Sequence, residues 1–480
     1  MFGVPIAAAV IASLALAPPP VRADATLAYR LTYARAGATD VRVEIRLPPT
    51  ATGPAVFVMP RAIPMGYGEQ HYDAFVLDMT ATAADGSALS VTRQEGPRWQ
   101  IPAGAVAVRY TVDIRRMEAG VMAASDTSKV RDGYLGLLGY SVFGYVEGRE
   151  GAAVALQIEG PAGWSVVSTL GAGSHDGRTS LVATDFYALA DSQIVMGPRV
   201  SVVPIAGTRV PLTLLVYAEV PVDVERLSRA ASTAFTRVAD YFGDIPFPRY
   251  TILQEVVAPV SEAHRYNFSM EHLDSMTSTL TAEFALTAGA PATADARAIF
   301  NLAHHIAHAW VPKRASGTGY FPFQWELAPL IDTIWFAEGF GQYAAIMAIA
   351  AGEPDPAAYR ERLLQRRFRE TLTAAPPFLR RLGLVDLSRV ASTRYSEDFR
   401  TGQLVFSRGG LLAADIDDRI RVATGGRKDL RDVLRAMVAR LGPTRQAFAV
   451  DELPRIVADA TGVDVSAIYA AALGPLDQVH

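Results

Sequence analysis

Three of the eight histidines in this sequence lie close together, and their spacing suits the binding of a metal ion. They are His304, His305 and His308, in the segment NLAHHIAH at 301–308. On a helix, residues four apart lie on one face, about 6 Å apart along the axis. The imidazoles of His304 and His308 could therefore bind one ion, at roughly 2.0–2.1 Å each for zinc. The alternative is two core histidines that hydrogen-bond to the backbone or to each other.

A catalytic zinc ion usually takes three protein ligands, so the two histidines need a third partner. Glu338 is the best candidate, in the apolar segment IWFAEGF at 334–340. An unpaired carboxylate is costly to bury among apolar neighbours, and a metal ion would be a suitable partner. The alternative for Glu338 is a carboxylate that lies on the surface or in an ion pair. His304 and His308 have the spacing of the motif H-E-x-x-H, with His305 in place of the glutamate. His305 could have either a chemical or a supporting role.

Helices must position these side chains. Hydrophobic periodicity predicts helices over 298–310 and 330–351, which carry the histidines and Glu338. Before residue 205 the apolar residues alternate with polar ones, as in 27–33 and 106–114, and this pattern is typical of strands in a β-sandwich or a related all-β module. Further helices are predicted over 222–242, 402–424, 430–441 and 450–462.

The composition is that of a folded protein, with 50% hydrophobic and 20% charged residues among 480. A formal net charge of −4 argues against a nucleic-acid partner. The absence of cysteine excludes disulfides and leaves only His, Asp and Glu to hold a metal. Residues 1–23 are predicted to be a signal peptide, because an apolar run ends at Val21-Arg22-Ala23 with small residues at −3 and −1. We therefore expect a periplasmic or secreted protein without a stable membrane span after cleavage.

Several motifs, in the right order, resemble the glycyl aminopeptidase family of zinc metallopeptidases, which are gluzincins with a thermolysin-like catalytic domain. The segment HHIAHAWVPKR at 304–314 matches H-E-x-x-H-x-W-x-x-K-R except at the glutamate. WFAEG at 335–339 matches the family's W-x-x-E-G at the family spacing. SMEH at 269–272 matches most of G-G-[LM]-E-H, and YFGDIPFPRY at 241–250 is similar to the segment that opens the catalytic domain.

The resemblance implies an α+β fold in three parts. These are an N-terminal β-sandwich-like domain over 24–205, a thermolysin-like zinc peptidase domain over 206–350 and a C-terminal α-helical domain over 351–480. The PDZ domain common in the family is expected to be absent.

The resemblance also implies the cofactor, the substrate class and the site. Zinc would be held by His304, His308 and Glu338, and the substrate would be a peptide or a protein. Glu271 would lie on the substrate-binding strand, near the amino end of the peptide. An ion-paired strand residue is the alternative for Glu271.

Two departures from the family pattern concern proton transfer and oxyanion stabilisation. His305 occupies the position of the glutamate that acts as the general base, and beside a dication a protonated imidazole is disfavoured. Phe406 occupies the position of a tyrosine whose hydroxyl stabilises the tetrahedral oxyanion. Loss of one such donor typically costs about 2.7–4 kcal/mol. Tyr395 is a candidate substitute.

Three functions are compatible with these observations. The first is an exported zinc metallopeptidase of the aminopeptidase type with altered catalytic residues. The second is a catalytically inactive pseudopeptidase that binds zinc and peptide, which the changes at His305 and Phe406 favour. The third is a metal-free structural or interaction protein, against which the three retained ligand positions argue.

Overall fold

The computed structural model describes residues 26–48, 53–264, 266–395 and 397–476, and it shows a mixed α+β protein. The predicted signal peptide, residues 1–23, lies outside the described residues. Within these ranges, no helix combines the length and the apolar character needed to cross a bilayer.

The N-terminal region is built from strands that bury alternate side chains. This alternation is clearest in the strands Leu27–Thr32 and Asp40–Arg46. Short helices α1 (Ile114–Gly120), α2 (Gly139–Val142) and α3 (Phe186–Ala190) lie between the strands. The strands are β1 (Leu27–Thr32), β2 (Asp40–Arg46), β3 (Ala55–Val58), β4 (Val76–Ala83), β5 (Ala88–Leu89), β6 (Thr92–Arg93), β7 (Arg98–Ile101), β8 (Ala105–Asp113), β9 (Lys129–Arg131), β10 (Tyr134–Leu138), β11 (Tyr145–Val146), β12 (Val154–Glu159), β13 (Val166–Ser168), β14 (Gly171–Ser174), β15 (Arg178–Ala183) and β16 (Gln193–Met196).

These strands form three sheets around one hydrophobic core. The largest has seven strands in the order β15-β12-β1-β2-β8-β4-β5. The others have the orders β14-β13-β16-β10-β9 and β11-β3-β7-β6. The prediction of a β-rich N-terminal region is confirmed.

A further five-stranded sheet forms one wall of the candidate site. Its strands are β17 (Ser201–Ile205), β18 (Leu212–Ala218), β19 (Tyr250–Val256), β20 (Asn267–Glu271) and β21 (Ser275–Leu280), in the order β17-β18-β19-β21-β20. Strands β18, β19 and β21 run parallel, whereas β20 is antiparallel to β21 and forms the edge. Strand β17 falls within the range expected for the N-terminal domain but pairs with β18 of this sheet.

Helices dominate the chain beyond this sheet, as the sequence predicts, and π-helical turns occur at Trp335–Phe340 and Gln365–Arg369. A two-stranded sheet joins β22 (Ser316–Gly317) and β23 (Ala447–Phe448). The helices are α4 (Val224–Phe242), α5 (Thr293–Ala307), α6 (Gly341–Ala350), α7 (Pro356–Leu364), α8 (Glu370–Ala374), α9 (Pro377–Arg380), α10 (Leu384–Arg394), α11 (Phe399–Thr424), α12 (Leu430–Leu441), α13 (Leu453–Thr461) and α14 (Ser466–Leu473).

The helix that carries Glu338 begins later than predicted. The expected start at residue 330 is wrong, because residues 330–333 are not helical. The Asp332 backbone N–H instead donates to the Thr318 carbonyl and ties the segment to an earlier loop. The first helical turn is then the π-helix Trp335–Phe340, which continues into α6.

Candidate metal centre

Helix α5 and its C-cap present the histidines on one side. The ring centroids of His304 and His308 lie 4.4 Å apart, and His308 is fully buried. Nδ1 of His308 donates a 2.8 Å hydrogen bond to the Val311 carbonyl. In the neutral ring Nε2 of His308 therefore has its lone pair available for a ligand, an arrangement typical of metal-binding histidines.

Glu338 reaches these histidines from the π-helix Trp335–Phe340. Its Oε2 lies 3.3 Å from Nε2 of His304 and 3.5 Å from Nε2 of His308. Its Oε1 accepts a 2.8 Å hydrogen bond from the hydroxyl of Tyr67. One carboxylate oxygen thus faces the histidines while a residue of the N-terminal region holds the other.

Two glycines allow helix α11 to lie directly against the π-helix. A side chain on Gly409 would overlap the carbonyl oxygen of Trp335, and one on Gly339 would overlap the backbone of Gly409. Because only glycine permits this approach, the two backbones support each other beside Glu338. The glycine that follows Glu338 in the sequence motif therefore has a packing role.

The cluster contains three buried imidazole nitrogens with no hydrogen-bond partner in the described parts of the chain: Nε2 of His304, Nδ1 of His305 and Nε2 of His308. Buried polar atoms normally have a partner. Ligands at roughly 2.0–2.1 Å from a tetrahedral zinc ion lie about 3.3–3.4 Å from one another. The separations of Glu338 Oε2 from the two ligand nitrogens, 3.3 and 3.5 Å, match this geometry. The residues present therefore fit a zinc ion.

His305 faces Glu271, the last residue of β20. Its Nδ1 lies 3.4 Å from Oε2 of Glu271, whose side chain is buried. One ligand atom from each of Glu271, His305 and His308 lies within 4.8 Å of the others, and the same is true of His304, His308 and Glu338. His308 thus belongs to two overlapping groups that could hold an ion.

Burial and mutual charge set the protonation of the cluster. Burial, together with the charge of His308, lowers the pKa of His304 to about 3. Burial alone would also lower the pKa of His308, but the carboxylates of Glu271 and Glu338 raise it to about 9. Burial is the largest single effect and raises the pKa of both carboxyls, but the charge of His308 and the interactions with the neighbouring histidines together outweigh it, so both pKa values lie below their usual range. Without a metal, the cluster therefore holds a proton on His308.

The cluster lines a cavity of about 880 Å³ between the N-terminal region, the sheet edge at β20 and the C-terminal helices. A cavity of this size accommodates a short peptide. The predicted site residues that line it are His304, His305, Glu271 and Glu338.

Tyr395 and Phe406 also lie on the cavity wall, with ring centroids 5.9 Å apart. The ring of Tyr395 is 5.4 Å from that of Tyr67, the residue that hydrogen-bonds to Glu338. The structure therefore brings Tyr395, the candidate substitute for the missing hydroxyl, close to the predicted ligands.

A buried ion network supports the end of β20. Nζ of Lys313 lies 3.0 Å from Oδ1 of Asp191, and both side chains are almost fully buried. The same carboxylate contacts Nδ1 of His272 at 3.2 Å and accepts a 2.6 Å hydrogen bond from the Leu273 backbone. The N-terminal region thus anchors the turn that follows Glu271.

Sequence reasoning identifies the residues that meet in the cluster but misses those that hold them. Tyr67 stands 271 positions from Glu338, and no motif marks it. Lys313 falls within the segment 304–314 that resembles the family, whereas none of the motifs named above includes Asp191.

Comparisons with known proteins agree with this architecture. Residues 28–198 match the model of the Peptidase M61 N-terminal domain. No curated protein sequence matches the chain. An aminopeptidase N family protein from Idiomarina loihiensis has a similar structure, with a TM-score of 0.80, 19% identity, and coverage of 93% of this chain and 76% of that one.

An M1 zinc metallopeptidase from Deinococcus radiodurans is also similar. Its structure with a Tyr-Ser-Ala substrate gives a TM-score of 0.56 at 14% identity, covering 95% of this chain and 96% of that one. A second structure of this protein, without the peptide, gives a TM-score of 0.55 at 14% identity and covers 94% of each chain. The fold is therefore similar to that of these two proteins, and the N-terminal region matches a domain of a peptidase family.

Proposed function

We propose that this protein is an exported zinc metallopeptidase of the aminopeptidase type with altered catalytic residues. The observation that carries the proposal is the meeting of His304, His308 and Glu338 beside a peptide-sized cavity, with His304 and Glu338 on its wall. The finer assignment, to the glycyl aminopeptidase family with a thermolysin-like catalytic domain, rests on the motifs around these residues. The proposed periplasmic or secreted location rests on the predicted signal peptide at 1–23.

Zinc is the proposed cofactor, with His304, His308 and Glu338 as its ligands. When bound, zinc supplies Lewis-acid activation of water and of the peptide carbonyl. The unpartnered imidazole nitrogens and the ligand separations support this assignment. The Deinococcus radiodurans neighbours are named as zinc metallopeptidases, which agrees with it.

The acidic surroundings of the cavity suit the amino end of a peptide. An α-amino group is largely protonated at neutral pH. Glu271 carries a carboxyl whose pKa is lowered. Asp126 and Glu69, which pairs with Arg61, line the same cavity. Glu271 is therefore proposed to bind the substrate amine, as the family resemblance implies.

His305 is proposed to move the proton that a glutamate would move. Because its Nδ1 faces Glu271, Nε2 is the nitrogen left to accept a proton. The Glu271 carboxylate could then accept a hydrogen bond from Nδ1 of the protonated ring. Tyr395 is proposed to donate the hydrogen bond to the oxyanion that Phe406 cannot donate. A positioned general base contributes roughly 10²–10⁴-fold, so both substitutions matter for the rate.

The second candidate is a pseudopeptidase that binds zinc and peptide without turnover. The contact between His305 and Glu271 favours it, because each of these residues then occupies the other rather than a substrate. The apolar ring of Phe406 on the cavity wall favours it as well.

Zinc content and peptidase activity, measured on the same purified protein, test both candidates. We expect about one zinc per chain and hydrolysis of Gly- and Ala-p-nitroanilide. The substitutions His304→Ala and Glu338→Ala should remove zinc and activity together, whereas His175→Ala, at an exposed histidine outside the cavity, should change neither. Zinc and peptide binding without turnover would select the pseudopeptidase. Failure to retain zinc after loading would reject both candidates.

A further inference from the structure

Two neighbouring arginines on the wall of the same cavity lack an acidic partner. Arg366 and Arg367 lie in the π-helical turn Gln365–Arg369 and line the cavity. Two other arginines of this region are paired: Arg369 with Glu361, and Arg360 with Asp418.

Arg366 and Arg367 make no such ion pair within the described ranges. The charged or titratable neighbours that act on Arg367 are Arg366 and Tyr359, and neither is a carboxylate. Two positive charges therefore stand side by side on the cavity wall without compensation from the described chain.

Arg367 is exposed, but its guanidinium is held against an aromatic ring. Its guanidinium carbon lies 3.3 Å from the centroid of the Phe300 ring, a close cation–π contact. Its backbone carbonyl accepts a 3.3 Å hydrogen bond from the Ser407 hydroxyl. The side chain reaches solvent through the cavity, yet the surrounding protein desolvates it and, with the charge of Arg366, lowers its pKa to about 10. Arg367 therefore remains a cation at neutral pH, with its orientation set in advance.

Arg367 shares a part of the cavity wall with Asn267, which is at the other end of β20 from Glu271. Arg367 also lines a smaller cavity of about 290 Å³, which shares Asn267, Asn301 and His304 with the main one. Asn267 is the first residue of β20 and Glu271 is the last. At about 3.3 Å per residue these ends are roughly 13 Å apart. An extended tripeptide of about 10–11 Å covers most of this distance, and the long side chain of an arginine can reach over the rest.

We propose that Arg366 and Arg367 form a binding site for a carboxylate on the C-terminal side of a short peptide substrate. This inference rests on the proposed function, because it requires the peptide amine to bind at Glu271. The planar guanidinium of arginine matches a carboxylate with two parallel hydrogen bonds. The carboxylate is either the free C-terminus of a tripeptide or an acidic side chain near it, and both provide the same chemistry.

Calorimetric binding of three peptides to the zinc-loaded protein tests the proposal. The probes are Ala-Ala-Ala, Ala-Ala-Ala-amide and Ala-Ala-Asp-amide, each with its first peptide bond reduced to CH2–NH so that it cannot be hydrolysed. The free acid should bind about tenfold more tightly than the amide, as expected for a charge-assisted hydrogen bond. Tight binding of the Asp peptide would identify an acidic side chain as an accepted source. Weak binding of the Asp peptide would restrict the site to a free C-terminus.

Substitutions show whether the two arginines cause the preference. The ratio of the Kd of the amide to the Kd of the free acid should fall to about twofold or less in Arg367→Gln. It should also fall in Arg366→Gln. Arg362→Gln is the matched control, because it removes one charge from the adjacent helix outside the cavity. Equal binding of acid and amide by the wild type, or a ratio that survives both substitutions, would overturn the carboxylate site alone. Failure of every peptide to bind would overturn the proposed function as well.

Discussion

The hydroxyl of Tyr67 donates a 2.8 Å hydrogen bond to Oε1 of Glu338, so a residue of the N-terminal β region orients a candidate metal ligand of the helical region. Oε2 of the same carboxylate is left to face the histidines. The N-terminal region therefore contributes to the candidate site as well as flanking it. Hydrogen bonds of this kind hold a ligand in the geometry that binds metal.

The substitution Tyr67→Phe should weaken zinc binding by about 10- to 100-fold, because it removes the hydrogen bond that orients Glu338. Competition with a chromophoric chelator measures the affinity. Tyr320→Phe is the control, since the Tyr320 hydroxyl lies 3.3 Å from that of Tyr67 but makes no hydrogen bond to Glu338. Equal zinc affinities for the wild type and Tyr67→Phe would show that the hydrogen bond does not orient a ligand.

Zinc uptake should depend on pH. In the metal-free cluster the neighbouring carboxylates raise the pKa of His308 to about 9, so this imidazole is protonated at pH 7. Zinc requires the neutral ring, and the proton must therefore leave. The apparent affinity should rise about tenfold per pH unit from pH 6 to pH 8, and calorimetry in two buffers of different ionisation enthalpy should show release of about one proton. An affinity that is constant over this range would contradict the protonation assigned to His308.

The altered catalytic positions can be tested by restoring the missing groups. His305→Glu should raise the hydrolysis of an Ala-p-nitroanilide substrate, and Phe406→Tyr should raise it further, because a base and an oxyanion donor return. In the wild type, Tyr395→Phe should lower kcat by about 10²–10³-fold if its hydroxyl is the present donor. Val422→Ala, at an exposed site remote from the cavity, controls for general effects of substitution. Robust wild-type turnover that His305→Ala abolishes would show that imidazole serves as the base.

The parts of the site that follow helical spacing could be predicted from the sequence. A separation of four residues was enough to bring His304 and His308 to one side, and α12 has the bounds that periodicity predicts. The apolar surroundings and the motif around Glu338 indicated a third ligand, although its π-helical backbone was not foreseen. A π-helix differs from an α-helix in its hydrogen-bond pattern, and the apolar pattern of 330–351 does not distinguish the two.

Contacts between distant segments could not be predicted in the same way. The hydrogen bond from Tyr67 and the pair of Asp191 with Lys313 span 271 and 122 positions, so only the packed fold brings these residues together. Arg366 and Arg367 stand among many arginines, and their lack of acidic partners is a property of the folded cavity wall.

The buried pair of Lys313 and Asp191 should make a large contribution to stability that can be measured by substitution. Asp191→Asn leaves the Lys313 ammonium buried without its counter-charge, and loss of one partner of a buried pair typically costs about 3–5 kcal/mol. Urea unfolding followed by circular dichroism measures the free energy of unfolding.

Exposed ion pairs contribute under about 1 kcal/mol, so Glu225→Gln, which breaks the exposed pair with Arg229, is the matched control. The double substitution of Asp191→Asn with Lys313→Met should cost less than the sum of the single substitutions, because it leaves no unpaired charge. A loss below about 1 kcal/mol for Asp191→Asn would mean that water or rearrangement compensates the charge. The turn after Glu271 would then need another anchor.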